Sequence, residues 1–307
     1  MEIVGHRSQV STLERAIALD TLPNALIITG PDGAGKTRLA REIARTLNCT
    51  ADERPCGQCV HCRQIASSAH PDVIFIARRE GKTAISIEQV RELREEAALR
   101  PYQARYKVYV VEGAETLTAQ AADAMLKTLE EPPADLVLIL TALDIAALPE
   151  TVASRCRVVA LSSVSESEIV AALRAEGAGD EDAIALARLA GGSVGWALRA
   201  YRTPKLRQDR EILLERLQAL PAMRLDERLD LAEKLAADRK DRAAPRIALE
   251  TLLLIVRTQM LETVGTGSAA GLHDITTVLH DIRHAMDRLD SNVDARLTLE
   301  ALFVTLP

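Results

Sequence analysis

The sequence predicts an α/β domain built on a parallel sheet, followed by a region that is helical throughout. Two observations lead to this class. Five short, nearly continuous apolar runs rich in β-branched residues alternate with helical patterns over the first 160 residues, and the strand signal then ends near Leu161. Buried strands alternating with helices are typical of a parallel sheet with helices on both faces. A length of 307 residues allows two or three domains.

The elements follow in order along the chain. The predicted strands cover residues 25–29, 72–76, 107–111, 136–141 and 157–161. Ser86 and Gln89 form a capping-box pattern that predicts a helix to about residue 99. Residues 118–129 have apolar positions at helical spacing, and the Pro132-Pro133 pair ends that helix. Ser165 and Glu168 form a second capping-box pattern, which opens a run of short alanine-rich helices.

These patterns divide the chain into three predicted domains. Residues 1–162 form the α/β domain, which carries a cysteine-rich module at residues 49–62. Residues 163–204 form a small helical domain, and residues 205–307 form a C-terminal helical domain with leucines at repeating spacing.

The composition argues against several classes of protein. The net charge is −6, and only 2% of the residues are aromatic. Autonomous nucleic-acid binders usually carry a basic excess and aromatic stacking platforms, so this balance disfavours them. The sequence predicts neither a membrane span nor a signal peptide, and we expect a cytoplasmic protein without a membrane partner.

A phosphate-binding loop follows the first predicted strand. It matches the pattern G-x-x-x-x-G-K-[ST] and consists of Gly30, Pro31, Asp32, Gly33, Ala34, Gly35, Lys36 and Thr37. Such a loop presents backbone N–H groups to the β-phosphate at a helix N-terminus. Its lysine contacts the β- and γ-phosphates, and its threonine hydroxyl coordinates Mg²⁺. The alternative is a glycine turn with a chance lysine. The pattern, in its proper strand–helix context, favours ATP binding.

An acidic residue for the metal is expected at the end of a later strand. Glu112 follows the third predicted strand and stands in the Mg²⁺ position. The next position, where active ATPases carry the carboxylate that activates water, is Gly113. Glu115 lies three residues further along. Glu112 and Glu115 could equally be two solvated acids at a strand end.

Four cysteines fall within fourteen residues: Cys49, Cys56, Cys59 and Cys62. Four thiolates complete a tetrahedral Zn²⁺ shell and leave no open position, so this spacing predicts a structural zinc site. Free thiols or a redox pair are the alternatives. His61 and His70 lie nearby as possible substitute ligands.

In combination, these motifs resemble a known family. The P-loop, the four-cysteine insertion, the His70-Pro71-Asp72 triplet, the segment KVYVVEGAETLTAQAADAMLKTLEEPP and the Ser154-Arg155-Cys156 triplet resemble the AAA+ subunits of the bacterial DNA polymerase III clamp loader. The resemblance implies an AAA+ domain, a helical lid over residues 163–204 and an oligomerising collar over residues 205–307. It runs from Gly5 to about Leu161 and continues more loosely beyond.

Within that family the chain looks most like the delta-prime subunit. Gly113 replaces the catalytic glutamate, Gly195 stands where the lid's sensor-2 arginine belongs, and the chain ends at Pro307 without the long extension of tau. The polar sensor-1 position falls on Leu143, with Thr141 as the nearest substitute.

The resemblance also assigns roles and partners. Arg155 would be an arginine finger that reaches ATP on a neighbouring subunit, although without the resemblance it is one surface arginine among many. The LEEPP segment closes a helix and receives no direct chemistry. The partners implied are gamma/tau-like and delta-like subunits, the sliding clamp and, mainly through the complex, primer-template DNA.

Three functions follow from this reading. The first is a delta-prime-like subunit of the polymerase holoenzyme that binds ATP with little or no hydrolysis of its own. The second is a gamma/tau-like motor in which Glu115 or Glu112 takes the catalytic role. The third is a P-loop kinase or transferase, for which the sequence offers no acceptor-binding motif.

Overall fold

The protein is described by a computed structural model that covers residues 1–237, 243–266, 269–291 and 293–306. It divides into two compact units, Met1–Arg199 and Ala200–Pro307. The predicted division into three domains stays a prediction. Parts of the predicted collar, residues 238–242, 267–268, 292 and 307, lie outside the described residues.

The first unit contains a five-stranded parallel sheet with the order β2-β3-β4-β1-β5. The strands are β1 Ala25–Thr29, β2 Val73–Ile76, β3 Lys107–Val111, β4 Leu136–Ala142 and β5 Arg157–Ala160. All five predicted strands are confirmed to within one residue at either end. The three inner strands are buried along their whole length, which explains why they are continuously apolar.

Helices cover both faces of the sheet, as predicted. They are α1 Arg7–Ala18, α2 Lys36–Asn48, α3 Val60–Ala66, α4 Ile87–Ala97, α5 Ala119–Glu130 and α6 Glu150–Ala153. Alternate residues of β1 point to opposite faces. Leu26 packs in a core with Leu39 and Ile43 of α2, whereas Ile27 packs in the other core with Leu93 of α4 and Met125 of α5.

Three further helices complete this part of the chain: α7 Glu166–Ala175, α8 Asp180–Ala190 and α9 Val194–Arg202. The predicted capping box is present at the start of α7, where Ser165 Oγ accepts a hydrogen bond from the amide of Glu168 (3.3 Å) and the Glu168 carboxylate accepts one from the amide of Ser165 (3.3 Å). Helix α8 ends at Gly191 in a left-handed conformation.

The second unit is helical over its described residues. It contains α10 Pro204–Gln218, α11 Leu225–Leu235, α12 Ala243–Thr266, α13 Ala269–Asp290 and α14 Ala295–Thr305. Its core includes Leu249, Ile282, Leu299 and Phe303. Across the described residues, no helix is both long enough and apolar enough to span a bilayer.

Candidate functional site

The predicted phosphate-binding loop lies between β1 and α2, at the carboxyl end of an inner strand. Helix α2 begins at Lys36 without a side-chain cap. The start of a helix is a place where backbone N–H groups can donate to an anion. A Cβ atom placed on Gly35 would meet no atom within 4 Å, so there is open space beside the loop at that point. This geometry fits a nucleotide phosphate.

Lys36 lies across the loop. Its Nζ donates to the carbonyls of Gly30 (2.6 Å) and Pro31 (3.0 Å), and it is 3.9 Å from a carboxylate oxygen of Asp32. The His6 ring donates from Nε2 to the carbonyl of Ala34 (3.1 Å) and so ties the loop to the segment before α1. The ammonium group thus lies within the predicted phosphate-binding loop.

The start of α9 packs directly against the same loop. The Gly195 amide donates to the Gly33 carbonyl at 2.8 Å. A Cβ atom on Gly33 would lie 2.0 Å from Ser193 Oγ, and a Cβ atom on Gly195 would lie 3.1 Å from Gly33 Cα. A side chain at position 195 would therefore press on the backbone of Gly33.

Glu112 lies at the end of β3 and is partly buried. Burial raises the pKa of its carboxyl group, and the nearby Arg41 guanidinium opposes that rise. Arg41 is held by α3 and β2, since it donates to the Ile65 carbonyl (2.8 Å) and stacks over the Phe75 ring. Arg41 was not predicted from the sequence; its position on α2, four residues after Thr37, is the signal that could have marked it.

Gly113 has no side chain, and the carboxylate of Glu115 lies close to this position. A Cβ atom at this position would lie 3.7 Å from Glu115 Oε1, and Glu115 Oε2 is buried with no hydrogen-bond partner in the described part of the chain. The Gly113 amide donates to Thr141 Oγ1 at 3.2 Å. Thr141, the nearest polar substitute at the sensor-1 position, therefore bonds the protein backbone here.

The four predicted cysteines come together, with their sulfur atoms all within 4.8 Å of one another. A tetrahedral Zn²⁺ ion with Zn–S bonds of about 2.3 Å requires sulfur separations of roughly 3.8 Å, and Cys59 and Cys49 are 4.0 Å apart. Burial opposes ionisation of Cys59, but hydrogen bonds from the Thr50 and Cys62 amides lower its pKa to about 6. The donor set fits a structural zinc ion.

Arg45 connects this cluster to α2. It forms an ion pair with the fully buried Glu42, and it lies close enough to Cys62 to interact with that thiol electrostatically. Burial opposes the charge of Arg45, yet these two partners raise its pKa above the usual value. A permanent cation therefore lies beside a group of thiols that would carry negative charge as zinc ligands.

His61 and His70 lie outside the cysteine cluster and bond each other. The buried His70 ring accepts at Nδ1 from the Asp72 amide (3.0 Å), which leaves its Nε2 to donate to His61 Nδ1 (2.8 Å). Neither histidine replaces a cysteine in the group that could hold a metal. Their role in this arrangement is to pack the segment that joins α3 to β2.

Arg155 lies between α6 and β5 and forms an ion pair with Glu130 at the end of α5. Its Nη2 and Nε atoms are 2.8 Å and 3.0 Å from Glu130 Oε1, and its Nη1 donates to the Thr151 carbonyl at 2.8 Å. Glu130 was not predicted from the sequence as a partner of Arg155. About a third of the Arg155 side chain remains exposed.

Comparisons with known proteins identify the family. A family described as "DNA polymerase III, delta subunit" matches residues 5–165. The DNA polymerase III subunit gamma of Buchnera aphidicola (subspecies Acyrthosiphon pisum) is 34% identical over 172 residues, which cover 55% of this chain and 46% of the relative. The Escherichia coli subunit tau is 33% identical over 157 residues, 50% of this chain and 24% of the relative. The chain thus spans less than half the length of these curated relatives.

A solved structure supports the fold. The DNA polymerase III gamma subunit-related protein of Thermotoga maritima aligns with a TM-score of 0.51 and 21% identity, over 96% of this chain and 97% of that protein. At this identity the similarity concerns the fold alone. The curated relatives carry the names gamma and tau, so the resemblance to delta-prime in particular is not confirmed. The match over residues 5–165 covers just over half of the sequence, and the chain belongs to the DNA polymerase III, delta subunit family.

Proposed function

We propose that the protein is an ATP-binding AAA+ subunit of the DNA polymerase III clamp loader. The observation that carries this proposal is the phosphate-binding loop, which lies at the start of α2 with Lys36 across it. The family to which the chain belongs supports the same conclusion. The residues from Gly30 to Thr37 would hold the phosphates. Thr37 and Glu112 would hold Mg²⁺, which neutralises phosphate charge when bound.

Three positions favour slow hydrolysis by this chain alone. Gly113 has no side chain to take a proton from water, and Leu143 has no polar group to orient one. Gly195 packs against Gly33 where the family would place a lid arginine. These features support a delta-prime-like subunit that works with gamma/tau-like and delta-like neighbours, the sliding clamp and primer-template DNA. The net charge of −6 favours contact with DNA mainly through the other subunits.

Two observations favour a second candidate, an ATP-hydrolysing motor. The curated relatives are named gamma and tau. In addition, Glu115 Oε1 lies 3.7 Å from the point where a side chain at position 113 would start, and its other oxygen is buried without a partner among the described residues. Glu115 would then act as the base for the attacking water.

Two further roles belong to the proposal. The Arg155 guanidinium would act in trans, next to the γ-phosphate of ATP on a neighbouring subunit, where it would stabilise negative charge during hydrolysis. The four cysteines would hold one structural Zn²⁺ ion, supported by the sulfur geometry and by the cation of Arg45 beside Cys62.

One pair of measurements separates the candidates. Purified protein should bind Mg·ATP, and Lys36→Ala should weaken that binding by more than about tenfold, because a charge-assisted contact to phosphate contributes about 1.5–3 kcal/mol. Turnover by the purified protein should be negligible. Turnover that Glu115→Gln abolishes and Asp123→Asn leaves intact would establish the motor instead. No binding of Mg·ATP by the wild type would contradict both candidates.

A further inference from the structure

The ion pair between Arg155 and Glu130 joins two separate elements of the sheet domain. Glu130 is the last residue of α5, and Arg155 follows α6. A single carboxylate oxygen, Oε1, accepts from both Nε and Nη2 of the guanidinium. The Thr151 carbonyl accepts from Nη1 at 2.8 Å. The guanidinium is therefore fixed on two sides, by α5 and by its own preceding turn.

Nη1 also donates to Ser154 Oγ at 3.4 Å, so among the described residues one N–H of Nη2 is left for a further acceptor. An arginine has five N–H donors in a planar fork, and Nε and Nη2 form the side that faces Glu130. Nη2 carries a second N–H, which points away from that side. An oxygen atom approaching the outer edge can accept from Nη2 without displacing Glu130.

The pair holds a side chain that would otherwise sample many rotamers. Arginine loses substantial conformational entropy when it is fixed, and Arg155 is exposed enough to move freely without a partner. Glu130 also carries a negative charge that opposes attraction to phosphate, but about half of its side chain is exposed, so solvent and salt screen that repulsion. Screening thus weakens the repulsion, while the hydrogen bonds still fix the orientation of the guanidinium.

We propose that Glu130 is a positioning residue that orients Arg155 for ATP on the neighbouring subunit. The proposal rests on the function proposed above for Arg155. Glu130 itself does not touch the nucleotide; it acts through the guanidinium. This gives the first glutamate of the LEEPP segment a role beyond ending its helix.

The test uses the complete complex, reconstituted with its partner subunits, and measures ATP hydrolysis in the presence of clamp and primer-template DNA. Glu130→Gln should lower kcat about fivefold and leave KM for ATP unchanged, because it removes charge from an exposed pair. Glu130→Ala should lower kcat at least as much. The matched control is Glu131→Gln, the same change at the next residue, which should leave both constants unchanged.

A double-mutant cycle distinguishes positioning from a structural effect. In an Arg155→Ala background, Glu130→Gln should cause no further loss of kcat. Equal losses in both backgrounds, or an unchanged or increased kcat in Glu130→Gln alone, would overturn the proposal while Arg155 keeps its role. If Arg155→Ala itself leaves kcat unchanged, the role in trans is wrong and the positioning proposal fails with it.

Discussion

Gly195 and Gly33 meet backbone to backbone, with the Gly195 amide donating to the Gly33 carbonyl at 2.8 Å. The contact joins the start of α9 to the middle of the phosphate-binding loop. Side chains are disfavoured at both positions, since a Cβ atom on Gly195 would lie 3.2 Å from the Gly33 carbonyl oxygen and one on Gly33 would overlap Ser193 Oγ. The start of α9 is thus part of the wall around the loop.

Because of this contact, we expect Gly195→Ala to destabilise the protein, although glycine-to-alanine changes in helices usually stabilise. Within a helix, replacing glycine by alanine normally stabilises a protein by about 1 kcal/mol. Here the added methyl group would press on the Gly33 backbone, and overpacking of this kind costs about 1–3 kcal/mol. We expect a net decrease in the free energy of unfolding, measured by denaturant titration without nucleotide. An increase would show that the Gly33 backbone yields to the methyl group at little cost in free energy.

The buried carboxylate of Asp72 predicts a second stability effect. It accepts hydrogen bonds from the amides of Tyr102 (2.6 Å), Gln103 (2.9 Å) and Ala104 (2.9 Å). Burial opposes its charge, but these bonds lower its pKa below the usual value. Asp72→Asn should lower the free energy of unfolding by about 2–3 kcal/mol, because an NH₂ group would face backbone donors. Asp123→Asn, on an exposed part of α5, is the control and should change it by less than about 0.5 kcal/mol.

The same group predicts the direction of a pH dependence. A carboxyl group whose pKa is lower in the folded state stabilises the protein above the unfolded pKa, near 4, and this stabilisation is lost as pH falls through the folded pKa. The stability difference between wild type and Asp72→Asn should therefore shrink as the pH is lowered below about 4. A difference that is constant from neutral to acidic pH would assign the effect to packing.

Much of the fold could be predicted because its signals are local. The strands, the capping box at Ser165 and the phosphate-binding loop each depend on residues close together in sequence, and the structure matches them. The packing of Gly195 on Gly33 could not be predicted. It joins residues 162 positions apart, and a glycine carries no side chain whose pattern would mark the contact.

The candidate sites were likewise predicted only in part from the sequence. The spacing of the cysteines was sufficient to predict their convergence, because a short loop limits where four thiols can lie. The partners of those sites were missed. Arg45 beside Cys62, Arg41 beside Glu112 and Glu130 beside Arg155 are ordinary charged residues in sequence, and only the tertiary structure selects one charge among many as the neighbour of each site.

The cysteine cluster predicts one zinc ion per chain and a clear response to its removal. Cys62→Ser should weaken zinc binding by more than about 100-fold, because a hydroxyl does not replace a thiolate ligand, and should lower the melting temperature. Cys156→Ser is the matched control, since Cys156 lies outside the cluster and should keep a full zinc content. Metal analysis and thermal unfolding, each with and without a chelator, check both effects. A wild-type protein that unfolds at the same temperature with and without zinc would contradict a structural role for the ion, whatever its metal content.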